Sequence, residues 1–73
     1  MKVKVANKIY RIGKNEYQKI LKVASGQVPF GIYAIEKNDY AELMNIKCMS
    51  MTQLKGFVRQ YKAQGFKVHS NKG

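Results

Sequence analysis

The residues best suited to chemistry are three cations on one face of a predicted helix. Lys55, Arg59 and Lys62 recur at the i, i+4, i+7 spacing that places side chains on the same side of an α-helix. Neighbouring side chains on such a face start roughly 5 to 6 Å apart, within reach of successive phosphates along a nucleic-acid strand. The spacing therefore predicts a surface that binds a polyanion.

The overall charge of the chain favours the same interpretation. Of 73 residues, 14 are Lys or Arg and 4 are Asp or Glu, which gives a formal net charge of +10. Folding brings these charges together, and their repulsion lowers stability unless an anionic partner or counterions relieve it. Nucleic acid, either DNA or RNA and without sequence specificity, is the first partner to expect. An acidic surface of a larger protein is the second.

Other basic residues fall on two further candidate surfaces. Lys19 and Lys22 would lie on the exposed face of the first predicted helix. Another group would lie on the exposed face of the sheet: Lys2, Lys4 and Arg11. Tyr33 and Tyr40 are expected near that group, where they could stack on bases or form the centre of a protein interface. Cations interleaved with aromatic rings suit single-stranded nucleic acid.

The acidic residues, by contrast, give little support to catalysis. Glu16 begins a predicted helix, and the other three carboxylates lie in or beside a predicted turn. His69 has no evident nucleophile beside it, and with Cys48 it supplies only two of the four ligands that structural zinc needs. The glycines match no phosphate-binding loop. We therefore expect a non-enzymatic protein without catalytic residues, metal or cofactor.

Cysteine content and hydropathy indicate which cellular compartment to expect for the protein. Cys48 is the single cysteine, so no intramolecular disulfide can form, as is usual in a reducing compartment. Residues 1–5 alternate Lys with Val rather than resembling a signal peptide, and no apolar run reaches membrane-spanning length. The expectation is a cytoplasmic protein that does not bind membranes. A homodimer formed through an exposed sheet face remains open.

A second helix must position Lys55, Arg59 and Lys62. It is predicted over Met51–Gln64, with Ser50 and Gln53 forming a capping box and Gly65 ending the helix. Its buried stripe follows the spacing i, i+3, i+4, i+7: Leu54, Phe57, Val58 and Tyr61. Gly56, inside this helix, marks a close approach to the sheet or to a partner, or has no role.

The first helix is predicted to begin at Gly13 or Asn15 and to run to about Ser25, where Gly26 would stop it. Its core residues share the same helical spacing: Tyr17, Ile20, Leu21 and Ala24. Lys19 and Lys22 fall between these positions and should be exposed.

Residues 1–12 are predicted to form a hairpin if Ala6 and Asn7 make a two-residue turn, which would pair Val5 with Lys8. One long strand is the alternative, because this kind of turn favours Gly and none is present.

A second hairpin is predicted from residues 31–36 and 40–48, with its turn at residues 37–39. A two-residue loop would place one set of side chains on its outer face, including Tyr33, Ile35, Tyr40 and Met44, whereas a three-residue loop would change that pairing. Both faces of this hairpin carry apolar residues, so it is either central in the sheet or has an outer face used for contact.

The last predicted strand covers residues 66–70, and residues 71–73 would form a frayed tail. The expected fold is a single basic α+β domain over residues 1–73, in the order ββαββαβ. It would have a mostly antiparallel sheet of four or five strands with two helices on one face. If the first hairpin is one strand, the order becomes βαββαβ, which is the ferredoxin-like arrangement.

Two functions follow from these patterns. The leading hypothesis is a non-enzymatic nucleic-acid-binding module that contacts mainly the phosphate backbone through its basic helix. The alternative is a small intracellular protein-interaction module, an inhibitor or adaptor, that docks on an acidic surface of a larger protein.

Overall fold

Local patterns and the observed elements agree closely along the chain. The computed structural model describes residues 1–72, which form five strands and two helices in the order ββαββαβ. The strands are β1 (Lys2–Val5), β2 (Lys8–Arg11), β3 (Phe30–Lys37), β4 (Tyr40–Lys47) and β5 (Lys67–Lys72). The helices are α1 (Lys14–Gln27) and α2 (Met51–Ala63). The predicted α+β class and element order are confirmed, whereas the ferredoxin-like alternative is wrong.

The five strands form one mixed sheet in the order β2-β1-β4-β3-β5. β1 runs parallel to β4, and each of the other neighbouring pairs is antiparallel. The sheet is therefore mostly antiparallel, as predicted. β2 and β5 form its two edges.

The first hairpin has the predicted register, in which Val5 pairs with Lys8 and Val3 with Tyr10. Its turn residues Ala6 and Asn7 have φ angles of 50° and 76°. These left-handed angles match the twist of the strands, although an L-residue such as Ala pays about 1 to 2 kcal/mol to adopt them. The hairpin tolerates this cost because it places Val3 in the core, where the side chain is 1% exposed.

A register shift between Ile32 and Ala34 changes which side chains of β3 share a face. Ile32 and Ile35 contact one core cluster, while Tyr33 and Ala34 contact the other. Strict alternation predicts Tyr33, Ile35 and Tyr40 together on an outer face. That prediction is wrong for Tyr33, which lies on the α1 side, and for Ile35, which is buried beneath α2. A bulge inserts one extra residue, so the side chains on either side of it exchange faces.

The two helices cover opposite faces of the sheet. Val3, Ala34 and Ala41 pack under Tyr17 and Leu21 of α1. The other cluster lies beneath α2 and contains Ile32, Ile35, Cys48 and Leu54. The prediction that both helices share one face is therefore wrong. The reason is that β3 and β4 are apolar on both faces, and each apolar face needs a covering layer.

The C-terminal end of α1 differs from its prediction, whereas the bounds of α2 match their prediction closely. Gly13 caps α1, but the helix continues through Gly26 to Gln27 and ends where Val28 precedes a proline, a position that disfavours helical backbone. At the start of α2, the Ser50 hydroxyl accepts a hydrogen bond from the Gln53 amide at 3.2 Å, as the capping box predicts. Gly65, with φ of 90°, ends α2 in the left-handed region.

β5 extends through Asn71 and Lys72, which were predicted to lie in a frayed tail. The Asn71 side-chain amide donates to the carbonyl oxygens of Ser25 and Val28 at 2.9 and 3.0 Å. These long-range hydrogen bonds at the end of α1, together with pairing to β3, hold the strand. The prediction is wrong for these two residues, and Gly73 lies outside the described residues.

Candidate nucleic-acid interface

An open groove of about 690 Å³ runs between α2 and the edge strand β5. It is lined from the helix by Met51, Leu54, Lys55, Val58, Arg59, Lys62 and Ala63, and from the strand by Val68, Ser70 and Lys72. No carboxylate is among these lining residues. The groove has a cationic rim and a mainly apolar interior.

The rim brings the three predicted helix cations together with one more. Lys55, Arg59 and Lys62 lie along the α2 wall, and Lys72 lies on the β5 wall. All four side chains are exposed. Within residues 1–72, the ion pairs involve other groups, so no carboxylate neutralises this rim. Four uncompensated positive charges therefore face one concave surface.

The geometry of α2 explains this placement. A rise of 1.5 Å per residue separates Lys55 from Arg59 by about 6 Å and Arg59 from Lys62 by about 4.5 Å along the helix axis. Leu54, which is 2% exposed, turns directly to the sheet. The cations lie on the flank of the helix that faces β5, so strand and helix form two walls of the same groove.

The interior of the groove is apolar. Leu54 is buried, Val58 of α2 and Val68 of β5 are half-buried, and Met51 and Ala63 are exposed. Val58 and Val68 belong to the core cluster beneath α2. The floor is thus an open extension of the hydrophobic core, and its shape is fixed by core packing.

The remaining predicted cations lie elsewhere. Lys19 and Lys22 are exposed on α1, on the opposite side of the sheet from α2. Another set lies on the β1–β2 hairpin, which α2 does not cover: Lys2, Lys4 and Arg11. The structure therefore separates the predicted basic residues into three surfaces. Lys19 and Lys22 line two other depressions beside α1, whereas the groove has Lys or Arg side chains on both of its walls.

The two predicted stacking tyrosines are also separated. The Tyr40 hydroxyl donates to Glu42 Oε1 at 3.1 Å, and Lys4 Nζ lies 3.9 Å from the same oxygen. Burial, followed by the hydrogen bond to Glu42, raises the pKa of Tyr40. Tyr33 lies on the α1 side, with its ring centroid 6.0 Å from that of His69. The two rings therefore do not form the common stacking surface that the sequence suggested.

A polar cluster that sequence reasoning missed lies beneath α1. Glu36 of β3 accepts a hydrogen bond from the Tyr17 hydroxyl at 3.2 Å and contacts His69 Nε2 of β5 at 2.5 Å. Burial, then the Glu36 carboxylate, raises the pKa of Tyr17 above its usual range. Burial alone would raise the pKa of Glu36, but the hydrogen bonds from His69 and Tyr17 outweigh it and lower that pKa.

This cluster links three elements, since Tyr17 belongs to α1, Glu36 to β3 and His69 to β5. It helps to fix β5, which forms one wall of the groove. No local pattern could have indicated it, because Glu36 and His69 meet only through the register of β3 and β5. Lys72 was missed because it joins the groove only through the packing of β5 beside α2.

The fold does not bring together the residues of the other candidate sites. Cys48 is buried in the α2 cluster, whereas His69 faces α1, so these two residues are on opposite sides of the sheet. In the part of the chain that the structure describes, no group of three or more His, Cys, Asp or Glu side chains is arranged to hold a metal ion.

Comparisons with protein-family models, curated proteins and solved structures give no match to this chain. Neither helix within residues 1–72 has the length and apolar character needed to cross a membrane.

Proposed function

We propose that this protein binds nucleic acid without catalysing a reaction, and that it contacts mainly the phosphate backbone. The observation that carries the proposal is the groove between α2 and β5. Its four cations, Lys55, Arg59, Lys62 and Lys72, stand on two walls without a carboxylate among the lining residues. A polyanion that enters this groove meets charge from both sides.

Phosphate is the anion best suited to such a surface. Lys and Arg neutralise phosphates and release the counterions condensed on nucleic acid, which supplies most of the affinity of non-specific binding. Arg59 can form a bidentate contact with one phosphate, and the lysines act as point charges around it. In this proposal the protein acts in the cytoplasm, where nucleic acid is accessible to it.

The proposal is tested by fluorescence anisotropy with a labelled oligonucleotide at low salt. The double variant Lys55→Glu/Arg59→Glu should abolish binding, because it reverses two of the groove's charges. Lys19→Glu/Lys22→Glu is the matched control, since it changes net charge by the same amount on the opposite face of the sheet. It should weaken binding only slightly, through the overall potential.

Three outcomes would refute the proposal. The first is an absence of binding by the unaltered protein at low salt. The second is an equal loss of affinity in both double variants, which would mean that total charge rather than the groove determines binding. The third is an unchanged affinity in Lys55→Glu/Arg59→Glu. Circular dichroism of each variant would show that the fold is intact.

The free edge of β5 favours a second candidate function, which is binding to an acidic segment of another protein. An edge strand offers unpaired backbone groups to an extended peptide, and the rim cations would contact its carboxylates. The outer face earlier considered for such an interface is unsuitable, because Ile35 is 4% exposed beneath α2. A labelled poly-glutamate peptide that binds more tightly than an oligonucleotide of equal charge would favour this alternative.

A further inference from the structure

The groove has two features that phosphate contacts alone do not use, namely its apolar floor and the unpaired edge of β5. We propose that it binds single-stranded nucleic acid in preference to duplex, with bases on the floor and phosphates on the cationic walls. This inference rests on the proposed function and specifies the form of its ligand.

The first argument is the match between the groove and an amphipathic anion. Val58 and Val68 give the floor an apolar surface, and Lys62 and Lys72 stand on opposite walls beside it. An unpaired base has an apolar face, and removing that face from water lowers the free energy of the complex, while the phosphate keeps its charge. A single strand therefore matches both parts of the groove at once.

The second argument concerns the backbone of β5. This strand has only β3 as a neighbour, so backbone N–H and C=O groups along its outer side have no partner in the sheet. β5 lines the groove through Val68, Ser70 and Lys72, so in this proposal its free backbone groups hydrogen-bond to the edges of bases bound there. Only unpaired bases offer their Watson–Crick edges for such contacts.

The third argument is that a duplex cannot use either feature. Its base faces are stacked and its base edges are paired, so only its phosphates could reach the rim. A site that contacts phosphates alone would favour duplex DNA, which carries one charge per roughly 1.7 Å of axis. A measured preference for single strands would therefore show that the ligand also contacts the floor of the groove or the edge of β5.

The experiment measures affinity by anisotropy for three labelled probes of about ten nucleotides, a length that spans one binding site. The probes are an oligothymidine, the same sugar–phosphate backbone without bases, and a duplex. Oligothymidine should bind about tenfold more tightly than the abasic strand, since burial of a few base faces is worth about that factor. It should also bind more tightly than the duplex.

Ala63→Tyr provides a gain-of-binding test that leaves the core unchanged. Ala63 is exposed within the groove, and a ring there could stack on a base. Affinity for oligothymidine should rise about fivefold or more, with no change for the abasic probe. Val23→Tyr is the control, because Val23 is 64% exposed on α1, on the opposite face of the sheet. It should leave all three affinities unchanged.

The outcomes separate the two proposals. Equal binding of the oligothymidine and abasic probes, with no gain in Ala63→Tyr, would refute single-strand selection but leave phosphate binding intact. Tighter binding of the duplex than of oligothymidine would also refute single-strand selection and leave phosphate binding intact. If none of the probes binds, or if only an acidic peptide binds, both proposals fail.

Discussion

Replacing Lys55 and Arg59 with Gln is expected to halve the salt dependence of nucleic-acid binding. For single strands, the slope of log affinity against log salt is about −0.7 for each phosphate neutralised. Four rim cations therefore give a slope of about −2.8. Between about 50 and 200 mM salt, the affinity of the unaltered protein should fall about 50-fold.

The variant keeps two rim cations, Lys62 and Lys72, so its slope should be about −1.4 and its affinity should fall only about sevenfold over the same range. The assay is a set of anisotropy titrations with labelled oligothymidine at several salt concentrations. Lys19→Gln/Lys22→Gln is the charge-matched control and should retain a slope of about −2.8.

Two results would contradict this reasoning. A slope near zero in the unaltered protein would mean that the rim does not displace counterions. An equal decrease of slope in the variant and its control would mean that binding depends on net charge rather than on these side chains.

The remaining predictions concern the framework that holds the groove. Gly31→Ala should lower the free energy of unfolding by about 3 kcal/mol in urea titrations, through strain and steric conflict. The reason is that φ is +150° and an added Cβ would lie 1.8 Å from the Ile46 carbonyl oxygen. Gly56→Ala should raise the same quantity by about 1 kcal/mol, because Ala favours the helix more than Gly and the added Cβ meets no atom within 4 Å beyond the adjacent backbone of its own helix. An unchanged midpoint for either variant would refute its prediction. Because the pKa of Glu36 is lowered on folding, its contribution to stability is present above its unfolded value of 4.5 and is lost as pH falls through the lower folded value. Glu36→Gln should therefore flatten the acid limb of a stability profile between pH 7 and 3, measured by urea unfolding.

The predictions that held were local ones. The α2 capping box, its buried stripe and the stop at Gly65 depend on residues within a few positions of one another. The register of the first hairpin likewise follows from the turn at Ala6 and Asn7. In each case the backbone geometry of one element relates sequence spacing directly to position.

The predictions that failed required knowledge of distant neighbours. The bulge near Tyr33 changed which side chains of β3 share a face. Because the β3–β4 hairpin is apolar on both faces, one helix packs on each side of the sheet. Asn71 appeared to belong to a tail because its hydrogen-bond partners, Ser25 and Val28, are more than 40 residues away in the sequence.

The sequence by itself indicated the two helices, favoured the element order ββαββαβ and aligned Lys55, Arg59 and Lys62 along one helix, because each of these depends on short-range periodicity. Only the tertiary structure decided that this helix lies beside the edge strand β5, which adds Lys72 and Val68 and makes the row of charges into a groove. The physical reason is that the choice of sheet face and strand neighbour is made by the burial of side chains far apart in the chain.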